Sequence, residues 1–133
     1  MVERPPREPG GRNIAVEVLD GAVAVRPVGE VDIETAPVLQ RALAQALTHA
    51  SPAKAVVIDC SRLTFCDSSA LNALLAARRA AEESGTVIRL AAPQSQLQRL
   101  LEITGATALF PVEEQPPPPV APSPGPLVDD PTP

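Results

Sequence analysis

The chain of 133 residues has no tryptophan, no tyrosine and only two phenylalanines. Base stacking on aromatic rings therefore has almost no surface to use. Positive charge is short as well. The net charge is −5, and residues 13–114 hold 12 acids against 8 bases. Phosphate binding needs a basic face, so no nucleic acid is expected as a partner. The single histidine, His49, has no serine or cysteine at helical spacing to pair with. The two cysteines, Cys60 and Cys66, lack a histidine or a further cysteine nearby. They make a poor metal site and read as small apolar residues of a reducing compartment. No G-x-x-x-x-G-K-[ST], G-x-G-x-x-G or G-x-S-x-G occurs, so neither a bound nucleotide cofactor nor a serine hydrolase elbow is expected. No apolar run approaches the length of a membrane span. The start, MVERPPREPGG, lacks the apolar segment of a signal peptide. The expectation is a cytoplasmic protein that does not insert into a membrane.

Proline is plentiful but unevenly spread. Twelve of the 17 prolines lie outside residues 12–114, nine of them between Pro116 and Pro133. The tail QPPPPVAPSPGPLVDDPTP has too little apolar content to fold and favours extended polyproline II. Residues 1–11 and 115–133 are expected to be disordered flanks of one domain over 12–114, a length suited to a single core.

Within that domain the hydrophobic period changes several times. NIAVEVLDG alternates, with Ile14, Val16 and Val18 on one face and a reversal at Asp20–Gly21. AVAVRPVG puts Val23, Val25 and Val28 inward. Leu39, Leu43, Ala46, Leu47 and Ala50 then mark a helix, with Thr35 as N-cap and Pro37 in the first turn. KAVVIDC is a continuous apolar run, the pattern of a strand buried on both faces. A second helix is expected from about Ser69 to Ser84, stopped by Gly85. TVIRLAA follows as a strand. A third helix has Leu97, Leu100, Leu101 and Thr104 on one face, and ATALFPV gives a last short strand. The order β-β-α-β-α-β-α-β implies an α/β layer fold: a mixed sheet of about four to five strands with helices packed on it.

The polar step Asp67-Ser68-Ser69 sits where a strand end becomes a helix. One reading is a helix cap, in which Asp67 or Ser68 accepts from the free amides of the first turn. A second is an exposed hydroxyl that carries a phosphate, received by free backbone amides at the positive end of the helix dipole. Such a phosphate adds about −1.5 to −2 charge and turns off docking without unfolding the domain. A third is a nucleophilic serine, but a neighbouring carboxylate is a weak activator and no base is at hand.

GEVDIETAP at 29–37, VVIDCSRLTFCDSSALNALL at 56–75 and LLEITGATALFPV at 100–112 together resemble the STAS domains of the anti-sigma factor antagonist (anti-anti-sigma factor) family. The resemblance covers nearly all of 13–113. It implies the STAS fold, and a binding protein rather than an enzyme. It implies that Ser68 is a phosphate acceptor, with Ser69 second to it. The implied partner is an anti-sigma factor that is also a serine kinase, captured by the unmodified antagonist so that a sigma factor is released. A phosphatase would remove the phosphate from Ser68. The docking surface would include Asp32, Asp67, Ser68 and Ser69, with Asn72, Ala73 and Ala76 on the exposed face of the second helix beside Arg79, Ala80 and Glu83. Asp32 would lie next to Ser68. The family commonly has Gly after the two serines; here Ala70 adds a methyl, expected to stand beside the acceptor. The alternatives are an unswitched STAS subunit of a membrane transport complex, holding an ATPase, and an enzyme with Ser68 as nucleophile.

Overall fold

The computed structural model describes residues 14–119. The expected flank 1–11 and the tail beyond Pro119 lie outside the described residues.

The elements in chain order are β1 (Ala15–Val18), β2 (Ala22–Arg26), β3 (Gly29–Val31), α1 (Ala36–His49), β4 (Ala55–Asp59), β5 (Leu63–Cys66), α2 (Ser68–Ser84), β6 (Ile88–Ala91), α3 (Ser95–Thr104), a 3-10 turn (Thr107–Leu109) and β7 (Val112–Glu113). Five strands form one sheet in the order β1-β2-β4-β6-β7. β1 and β2 are antiparallel, and every other neighbouring pair is parallel. β3 and β5 form a separate two-stranded parallel ladder.

The reversal between β1 and β2 is the expected one: the Leu19 amide donates to the Ala22 carbonyl at 2.8 Å across Asp20–Gly21. β4 is the central strand, buried from Val56 to Asp59, which its continuous apolar run requires. Alternate residues point to opposite faces. Val23, Val25, Val56, Ile58, Ile88 and Leu90 meet the helices in one core. α1 contributes Leu39, Leu43 and Ala46 to it, and α3 contributes Leu97 and Leu101. α2 is stopped by Gly85 at φ 77°, a left-handed residue whose amide returns to the Ala81 and Glu82 carbonyls.

Several local expectations fail for identifiable reasons. Val28 is 45% exposed rather than inward, because the chain leaves β2 at Pro27 and turns into β3, breaking the alternation. Val18 ends β1 and is exposed too. Thr104 is exposed and returns its hydroxyl to the Leu100 carbonyl at 2.7 Å. The last short strand expected in ATALFPV is present but begins only at Val112; the segment before it is a 3-10 turn over Thr107–Leu109 that leaves Ala106 and Phe110 buried.

Candidate functional site

The ladder of β3 and β5 builds the site. Val31 is in register with Cys66, and the Asp67 amide donates to the Val31 carbonyl at 3.3 Å. Asp32 and Asp67 therefore leave the ends of two paired strands side by side. The strand end read at Leu63 and Phe65 is β5, whereas the three residues of β3 are too few to show an alternating pattern. Gly29 begins β3 at φ 81°, next to a register shift between Gly29 and Glu30, which is a backbone position that suits glycine.

Asp32 closes its own turn. Its Oδ1 accepts from the Glu34 amide at 3.0 Å, the Thr35 amide at 3.2 Å and the Thr35 hydroxyl at 3.2 Å. The Asp32 amide donates in return to Thr35 Oγ1 at 2.9 Å. Thr35 is thus at the N-cap position of α1 but makes no side-chain cap, because its hydroxyl is held inside the turn. Ile33, at the tip, is 74% exposed. Phe65, on β5, is 41% exposed. These two apolar side chains on the elements that carry the acids are part of the candidate surface. An unpaired apolar residue inside an otherwise polar turn was the available signal for Ile33.

Asp67 is the N-cap of α2. Its Oδ1 accepts from the Ser69 amide at 2.9 Å and the Ala70 amide at 3.1 Å. Its carbonyl takes the first helical bond from Leu71 at 3.0 Å. Ser68 is the first helical residue and is exposed, while Ser69 is half-buried. The amides expected to receive a phosphate are therefore already engaged by Asp67. A phosphate on Ser68 would instead stand next to Asp67 in the chain, adding negative charge at the start of α2.

Ala70 is fully buried, so its methyl belongs to the core and does not stand in the open beside the acceptor. Ala73 is a correction as well. Expected on the exposed face of α2, it is only 2% exposed and lies in the core. α2 packs against both α1 and the strands, so its buried face is wide and takes in position 73. The outer stripe that remains is Ser68, Asn72, Ala76, Arg79 and Glu83, all exposed at three- and four-residue steps; Ala80 is half-buried.

A contact not anticipated from sequence holds β5 in place. The Gln96 side-chain amide pairs with the backbone of Cys66 in both directions. Gln96 Oε1 accepts from the Cys66 amide at 2.9 Å, and Gln96 Nε2 donates to the Cys66 carbonyl at 2.8 Å. The side chain completes the outer edge of β5 as a neighbouring strand would, one residue before Asp67. The Cys66 thiol is pushed up to about 12 by burial, with the Asp67 charge adding to it, and Cys60 is raised by burial as well. Both stay protonated at neutral pH and act as packing groups.

A family model described as "Mlab, STAS domain" matches residues 14–111. No curated protein matched the sequence. Among solved structures, an anti-sigma factor antagonist from Mycobacterium paratuberculosis is 30% identical, with a TM-score of 0.63 over 76% of this chain and 84% of that one. An anti-sigma-factor antagonist (STAS) domain protein from Planctomyces limnophilus has a TM-score of 0.71 at 17% identity, over 77% of this chain and 91% of that one. The Bacillus cell fate determinant SpoIIAA in its phosphorylated form has a TM-score of 0.58 at 20% identity, over 76% and 91%. At these last two identities the likeness is one of fold.

Proposed function

This chain belongs to the STAS domain family, and we propose that it is an anti-sigma factor antagonist whose binding is switched by phosphorylation of Ser68. In this reading it captures an anti-sigma factor with serine kinase activity while Ser68 is unmodified. It lets go when that kinase phosphorylates Ser68, and a phosphatase resets it. It is a binding module without catalysis of its own.

One observation carries the reading. An exposed serine opens the helix whose outer stripe also offers Asn72 and Ala76, and it follows Asp67 at the end of a strand paired with the one that leads to Asp32. The likeness to an anti-sigma factor antagonist at 30% identity supports the partner class. The switch follows from charge. Asp67 already takes the Ser69 and Ala70 amides at the start of α2, so a phosphate on Ser68 gains little from the helix and adds its charge next to that of Asp67. A partner docked over it would bury an unpaired dianion, at a cost on the order of several kcal/mol. Ser69 is a poorer acceptor because it is half-buried.

The test is capture from the cells of origin with two baits. Ser68→Ala should retain a kinase-like regulator, and Ser68→Asp should lose most of it. Equal capture by both, or a transporter ATPase as the protein retained, would remove the switch and leave a constitutive STAS subunit.

A further inference from the structure

The sheet has a second face that the three helices among the described residues do not use. Ala24 and Val57 point away from the core cluster, yet they are 0% and 4% exposed. At the end of this face Arg26 is locked in place. Its Nε and Nη2 donate to Glu17 Oε1 at 3.1 and 3.0 Å, and its Nη1 donates to Asp59 Oδ2 at 2.9 Å. Asp59 is in turn held by the Ser61 hydroxyl at 2.6 Å and the Ser61 amide at 3.0 Å. The guanidinium is therefore oriented before it meets anything else. Its Nη2 also donates, at 3.2 Å, to the carbonyl of Pro118.

The chain has come back over its own sheet to make that bond. Pro117–Pro119 border a hollow at Arg26 and Asp59 and a second one, of about 530 Å³, at the Val18–Ala22 turn. These two hollows lie at opposite ends of β2, with Ala24 between them. The four rises from Ala22 to Arg26 cover about 13 Å and the three rises of Pro116–Pro119 in polyproline II about 9 Å, so the segment covers most of the track. The chemistry matches too. Polyproline carbonyls have no internal partners and proline offers no amide, so such a segment needs fixed donors for its carbonyls. Arg26 is the donor here, and Ala22 borders a hollow that the prolines also line.

We infer that the helix-free face of the sheet is a binding site for a polyproline II segment, filled in cis by Pro116–Pro119 of the same chain. This site uses neither Ser68 nor the stripe of α2, so it stands or falls independently of the phosphorylation switch.

The test uses the full chain with Pro116–Pro119 replaced by Gly-Ser-Gly-Ser, compared with the parent by NMR. The expected result is a shift of the Ala22 and Ala24 methyls and of the Arg26 side-chain resonances, with the Leu71 methyls unmoved. A synthetic peptide spanning residues 113–123, at millimolar concentration, should return those resonances in the replaced chain and leave the parent unchanged. Arg26→Gln in the replaced chain should weaken the peptide by roughly tenfold, the loss of one charge-assisted bond. Unmoved resonances after replacement, a peptide that fails to return them, or one that shifts the parent equally would overturn the inference.

Discussion

Asp67 Oδ1 receives two first-turn amides of α2, those of Ser69 and Ala70, so one atom starts the helix that Ser68 opens. Asp67→Ala should cost about 1 kcal/mol in a denaturant titration, and Asp67→Asn much less, because an asparagine oxygen caps equally well. This cap was legible from the residues, since Asp stands where a strand gives way to helical spacing. The Asx turn at Asp32 was not, because Thr35 looked like an N-cap and only the folded turn shows its hydroxyl taken. Asp59 offers a pH test at the same scale. Burial alone would raise its carboxyl, but the bonds from Ser61 and the guanidinium of Arg26 outweigh this and hold it below its ordinary value. A depressed carboxyl contributes stability that is complete above about pH 4 and is lost as pH falls through the folded value. Urea midpoints should therefore decline below about pH 4, and Asp59→Asn should flatten that decline while lowering the midpoint at neutral pH. A mutant slope equal to the parent's would show that other carboxylates carry the acid sensitivity.

At the scale of elements, the long periodic pieces were readable and the short ones were not. α1 and α2 declare themselves through Leu39, Leu43, Leu71 and Leu74, all buried. Of the short pair, only the strand end before Asp67 was visible; β3 has three residues and its pairing with β5 is a long-range condition that no local pattern states. Ala73 was misplaced for a related reason: alanine is neutral in a hydrophobic pattern, and only the packing of α2 on α1 decides its side. The Gln96–Cys66 pair spans 30 residues and lies beyond any motif. Its prediction is specific. Gln96→Ala leaves a buried amide and carbonyl at Cys66 unpaired, which should cost about 1–3 kcal/mol and speed hydrogen exchange at the Cys66 amide. Unchanged exchange there would mean that β5 is held by β3 alone.

For the whole molecule, the two faces of the sheet are used differently. One face buries the core against three helices, and beside it the β3–β5 ladder delivers Asp32, Asp67 and Ser68 together. The other carries the Arg26 network and the returning proline segment. No helix among the described residues is long and apolar enough to cross a membrane. A phosphopeptide map of the protein isolated from its own cells, in growth and under stress, decides whether Ser68 is the switch. Phosphate is expected on Ser68, little or none on Ser69, with an occupancy that differs between the two conditions. Complete coverage of residues 63–78 with Ser68 never modified would contradict the switch.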